Sequence, residues 1–202
     1  MGHILVTPPT AELLELEEVA EHLRLDLEEM EPVETTLLES WIRAARMHVE
    51  QRLSVALVEQ TWRLTLDGFP PSGLPILLPR PPLQSVTSVV YLDTDSVEQT
   101  LDASAYVVDV ESRPGRIGPV QDTLWPDAAR QLASVRITYV AGLDGEDDGL
   151  TELVEDLRAA MLLLVGDLYR NREAQVSDTL NANRTVAALL DMHYRYWDGT
   201  GV

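Results

Sequence analysis

The amino-acid sequence predicts an α+β protein: a helical core of two N-terminal and two C-terminal helices, carrying an inserted antiparallel β-module. Three observations predict it. Apolar residues recur at three- and four-residue steps near both ends of the 202-residue chain. Between about Val55 and Ala141 the period changes to two. Nine of the twelve prolines lie between Pro70 and Pro126 and none follows, and proline removes a donor and clashes inside a helix. The strands follow one another instead of alternating with helices, which favours α+β over a parallel α/β sheet. The expected division is an N-terminal helical part at 1–55, a β-rich insertion at 56–142, and a C-terminal helical part at 143–202 that completes one helical domain with 1–55.

Leu13, Leu16, Val19, Ala20 and Leu23 give a short first helix with Glu17, Glu18 and Glu21 in solvent. An acidic connector, Asp26 to Glu34, leads to a longer helix from about Thr35 to Leu53, with Leu38, Trp41, Ala45, His48, Val49 and Arg52 along one side. Strand alternation is read at Trp62-Leu64-Leu66, Tyr106-Val108-Val110 and Val135-Ile137-Tyr139. Val86 to Leu92 is a β-branched run ending at the turn-like Asp93-Thr94-Asp95, and Pro114-Gly115 reads as a turn before Arg116-Ile117. Leu153, Leu157, Ala160, Met161, Leu164, Val165 and Leu168 form the stripe of a third helix, opened by Thr151 and acids and closed by Arg170 and Arg172, as the helix dipole favours. After a polar stretch, Gln175 to Arg184, a last amphipathic segment starts near Thr185 and ends in Met192-His-Tyr-Arg-Tyr-Trp197.

The composition excludes several classes. There are 34 acidic and 15 basic residues, all of the latter arginine, for a formal charge of −19. Residues 1–60 carry −9, 61–142 only −3, and 143–202 carry −7. Such a chain is repelled by nucleic acid and anionic lipid unless arginines are locally concentrated. The absence of Cys rules out disulfides, thiolate metal sites and a Cys nucleophile. The longest apolar run, Ala159 to Val165, has seven residues, well short of the ~20 that span a bilayer. Met1 to Pro9 lacks the cationic start and apolar stretch of a secretion signal. The expectation is a soluble protein of intracellular origin with no membrane partner.

Candidate chemistry is sparse. His3, His22, His48 and His193 show no metal-ligand spacing, and His48, on the apolar side of its helix, reads as a packed core residue. No metalloprotease, Walker, dinucleotide-binding or nucleophile-elbow motif occurs. Asp144-Gly-Glu-Asp-Asp-Gly149 superficially resembles a calcium loop but lacks the ligand spacing, and reads as an acidic lead into the third helix. Arg113 and Arg116 flank Pro114-Gly115, where they suit phosphate or, in so acidic a chain, neighbouring carboxylates. Tyr194, Tyr196 and Trp197 suit either a binding surface or packing back on the third helix. No catalytic, metal or cofactor site is expected.

Several segments, in order, resemble the head–tail connector (adaptor, or head-completion) proteins of long-tailed bacteriophages and prophages, in the longer subfamily with a β-insertion. They are Leu16-Glu-Glu-Val-Ala-Glu-His-Leu-Arg-Leu-Asp26, Leu37-Leu-Glu-Ser-Trp-Ile-Arg-Ala-Ala-Arg-Met-His-Val-Glu50, Gln60-Thr-Trp-Arg-Leu64 and Leu78-Pro-Arg-Pro-Pro-Leu-Gln-Ser-Val86. Tyr106-Val-Val-Asp109, Pro114-Gly-Arg-Ile117, Trp125-Pro126 and Val135-Arg-Ile-Thr-Tyr-Val-Ala-Gly142 follow. Ala160-Met-Leu-Leu-Leu-Val165, Tyr169-Arg-Asn-Arg-Glu173, Leu189-Leu190 and Tyr194-Arg195 complete the series. The family's last segment often reads Leu-Leu-x-Pro-Tyr-Arg, whereas Asp191-Met-His stands between Leu190 and Tyr194 here.

The resemblance implies a structural, non-enzymatic protein of the virion neck of a tailed phage, prophage or gene transfer agent, assembled in the host cytoplasm. About twelve copies would form a cyclic, head-to-tail ring below the portal. The ring would extend the DNA channel without binding DNA specifically, and would join the portal to a stopper or tail terminator. Val186, Leu189, Leu190, Tyr194 and Arg195 are the implied portal-binding residues. A lumen that must not grip DNA suits the acidic flanks. The readings set against this are an acidic regulatory or DNA-mimicking protein and an enzyme built on paired carboxylates, which would need two acids with pKa values pushed apart.

Overall fold

Among the described residues eight strands and four α-helices follow in the order β1 (Gly2–Thr7), α1 (Leu16–Leu23), α2 (Pro32–Leu53), β2 (Gln60–Leu66), β3 (Ile76–Leu77), β4 (Leu83–Leu92), β5 (Glu98–Thr100), β6 (Tyr106–Asp109), β7 (Arg116–Pro119), β8 (Val135–Ala141), α3 (Thr151–Arg170) and α4 (Arg184–Trp197). The structure, a computed structural model, describes residues 2–143, 151–171 and 184–197. The acidic loop at 144–149 and the polar stretch before Arg184 fall outside the described residues. The fold is α+β, as read from the sequence, and every strand pairing is antiparallel. Two compact units divide the described residues: 2–10 with 54–143 and 197, and 11–53 with 151–171 and 184–196.

In the first unit a five-stranded sheet runs β1-β2-β8-β4-β5 and a three-stranded sheet runs β3-β7-β6. β8 sits at the centre because its alternation is complete: Val135, Ile137, Tyr139 and Ala141 are all fully buried, with Arg136, Thr138 and Val140 on the other face. Register then forms a row, Leu64 opposite Ile137 and Ile137 opposite Val89, all buried. Ile76, Ile117, Leu78 and Trp125 complete the core. Each such side chain, fully buried, contributes about 1.5–3 kcal/mol.

β1 was not expected. The first ten residues were assigned to the helical part, yet Gly2–Thr7 pairs with β2 and forms an edge of the sheet. Its Ile4, Leu5 and Val6 are all exposed, so no in/out alternation betrays it. The two turns read from the sequence do form. At the first, the Asp93 carboxylate accepts the Asp95 and Val97 amides at 3.0 and 2.9 Å. At the second, Gly115 is required because a Cβ there would lie 2.4 Å from that of Leu83. Gly142 meets a harder limit: its φ is +133° and an added Cβ would lie 2.3 Å from the Val58 carbonyl oxygen.

In the second unit α2 packs on α3, and α1 on both. α2 opens at Pro32, three residues before the expected start, because proline is well placed where its missing N–H leaves no bond unmade. Its buried line is Leu38, Ile42, Ala45, Val49 and Leu53. That corrects the expected face, since His48 and Arg52 are exposed and Trp41 is half-buried. Leu157, Ala160, Met161 and Val165 of α3, with Val186 and Leu190 of α4, are the matching buried residues.

Candidate interaction surfaces

The helical unit is fastened by charge. Arg46, on the flank of the buried line of α2, is 5% exposed. Such a charge persists only when paired. Its Nε donates to Glu12 at 2.6 Å and its Nη1 to Glu50, one turn on, at 2.7 Å. This triad ties the segment before α1 to α2. Arg158 of α3 does the same from the other side, donating to the Leu13 carbonyl at 2.5 Å and pairing with Glu18. Arg52 of α2 pairs with Asp191 of α4 at 2.7 Å, with both side chains more than half exposed. At residue 41 the Trp ring meets Tyr169 edge-on, centroids 6.0 Å apart.

The residues implied for portal binding are not alike in α4. Val186 and Leu190 are 4% and 1% exposed, so they hold the helix in its unit. Leu189 is half-buried, and Met192 beside it is 69% exposed. The side chains of Tyr194 and Arg195, like those of Tyr196, Trp197 and His193, fall outside the described residues.

In the β unit a polar cluster that the sequence reading missed fixes β1 to the sheet. The His3 ring stacks on Trp62 with centroids 4.4 Å apart, and Arg80 lies over the same indole at 5.3 Å. The Tyr139 hydroxyl donates to the Pro79 carbonyl at 2.8 Å, so its oxygen accepts from Nε2–H of His3 at 2.7 Å. That fixes the neutral His3 tautomer. Burial, and then the Arg80 charge, push the His3 pKa down to about 4. Burial drives the Tyr139 phenol up. The signal was hidden because Trp62 and Tyr139 lie 59 and 136 residues from His3, on two other strands.

Of the arginines at the Pro114-Gly115 turn, Arg116 takes the acidic-neighbour reading and pairs with Asp109 at 2.8 Å. Hydrogen bonds from Ser112, then from Arg116, lower the Asp109 pKa to about 2. Asp93 and Asp102 are also lowered, first by side-chain bonds from Gln99 and Ser104. These carboxylates are held ionised by turn geometry. None is poised to give up a proton near neutrality. Among the described residues no cluster of His, Asp or Glu has the arrangement of a metal site. No described helix is long and apolar enough to cross a membrane.

No family model and no curated protein matches the chain. Solved structures do. It is similar to a chain in the virion of a native gene transfer agent particle, with 25% identity and a TM-score of 0.73. It is also similar to a chain in the neck of an empty particle computed with C6 symmetry, at 26% and 0.74, and to one in the neck of a native particle computed with C12 symmetry, at 25% and 0.69. Each alignment covers 95% of this chain and 94% of the other, so both units take part. In fold, end to end, the chain is a structural relative of chains in the gene transfer agent virion and its neck.

Proposed function

We propose that this protein is the adaptor ring of a virion neck, seated below the portal, extending the DNA channel and offering its far side to a stopper or tail terminator. The observation that carries the reading is the end-to-end likeness, 95% of this chain on 94% of the other, to a chain of a neck computed with sixfold symmetry. A likeness of one unit would leave room for a reused module. A likeness of both together supports a shared role in the neck.

The charge distribution suits the role. The acidic exposed positions gather before and around α1, at Glu15, Glu17, Glu21, Asp26, Glu28 and Glu29. Facing a lumen, they would repel DNA phosphates and let the duplex slide. The portal contact is assigned to the α4 end, through Leu189, Tyr194 and Arg195. Val186 and Leu190 would reach the portal only if α4 left its unit, because both are buried.

Electron microscopy of the full chain mixed with its cognate portal tests the reading. Density capping the portal in a closed ring is expected. A chain that stays monomeric and leaves the portal bare would overturn it. In that ring an arginine-lined bore would refute the acidic lumen. Leu189→Asp with Arg195→Ala should weaken capping about tenfold or more, as loss of a hot spot does, and unchanged capping would remove α4 from the contact.

A further inference from the structure

α2 has a second face that is uncharged and mostly apolar. Val33, Leu37, Ser40, Ala44, Met47 and Gln51 are all exposed and recur at steps of four, three, four, three and four. At 3.6 residues per turn these positions form one stripe on the side of the helix away from Leu38, Ile42, Ala45 and Val49. Val33 is 73% exposed and Met47 57%. The stripe carries no charged residue over five turns, although 24% of the chain is charged. The charged residues of α2, Glu34, Glu39, Arg43, Arg46, Glu50 and Arg52, all fall outside it. The 4-3 spacing is the one by which a helix seats side chains between those of another helix.

We infer that this stripe is a seam between copies of the chain. The inference rests on the adaptor reading and adds to it the surface through which the copies meet. The occupant follows from charge. A basic partner would be received by the abundant carboxylates and would need no neutral strip. A second copy, itself at −19, meets less repulsion where acidic charge is missing. The related chains, in necks computed with C6 and C12 symmetry, occur as multiple copies.

The size of the stripe sets the strength of the seam. A 22-residue helix is about 33 Å long and presents a strip about 10 Å wide, so roughly 300 Å² is covered on each side. That is less than half of the ~800 Å² per partner of a stable pair. One seam alone is weak, and assembly would depend on concentration or on closure, in which each copy is held on two sides.

Because the chain has no Cys, Met47→Cys takes a single benzophenone label, as does Glu21→Cys on the acidic face of α1. Photocross-linking of the full-length protein is followed over a concentration series, with peptide mass spectrometry naming the partner. The Met47 label is expected to join a second copy at least about fivefold more than the Glu21 label, and rising salt should increase the yield because it screens the repulsion. Adding Ala44→Glu should lower that yield about tenfold by placing charge in the seam, with helix content and melting temperature unchanged because residue 44 is exposed. Equal labelling from both positions, or indifference to Ala44→Glu, overturns the seam. If such a protein still caps the portal in a ring, the adaptor reading stands without it.

Discussion

The two units bury polar groups by opposite means. In the helical unit the buried polar element is ionic: Arg46 between Glu12 and Glu50, with side-chain exposures of 6%, 25% and 9%. In the β unit it is neutral: His3, Tyr139 and the Pro79 carbonyl in a hydrogen-bonded chain. An ionic cluster holds strongly but leaves uncompensated charge if one member is lost. A neutral chain fails more gently, and it fails on protonation. The difference places the largest mutational sensitivity in the helical unit and the sharpest dependence on acid in the β unit.

The largest effect expected is that of Arg46→Ala. It leaves Glu12 and Glu50 facing each other, partly or wholly out of water, and should cost about 3–5 kcal/mol in denaturant unfolding. Arg46→Met with Glu50→Leu replaces the pair by apolar volume and should recover most of the loss. If the single variant costs less than about 1 kcal/mol, the triad is only a surface feature.

Next comes acid. The unfolded His3 pKa is 6.5 and the folded value is about 4. As pH falls below 6.5 the unfolded chain takes up the proton first, so stability drops between 6.5 and about 4 and levels off below. The ring is half-exposed, so the loss should be about 1–2 kcal/mol, less than the shift alone would give. His3→Phe keeps the stack on Trp62 and should flatten this part of the stability–pH curve. An unchanged slope would show that other groups carry it.

Much of this was legible in the sequence, and the gaps have definite causes. β2, β8 and α3 were read because their apolar residues recur with the period of the element, and β4 was read from its β-branched run. β3 and β5 have two and three residues and no period to show. The triad was hidden because Arg46 and Glu50, four apart, look like an ordinary solvated pair, and Glu12 lies 34 residues away. In α2 the expected face was turned toward Trp41, His48 and Arg52, which lie on the flank of the helix beside the buried line of Leu38, Ile42, Ala45, Val49 and Leu53.

The smallest effect sharpens the comparison within the helical unit. Arg52 and Asp191 make an ion pair as short as those of Arg46, 2.7 Å, but with 53% and 59% exposure. Water already solvates both groups, so Arg52→Ala should cost only about 0.2–1 kcal/mol. A double-mutant cycle with Asp191→Ala isolates the coupling. Because the pair joins α4 to α2, its loss should appear as faster hydrogen exchange in α4 before any change in global unfolding. Equal costs for Arg52→Ala and Arg46→Ala would mean that burial does not set the strength of these pairs, and the contrast between the units would lose its physical basis.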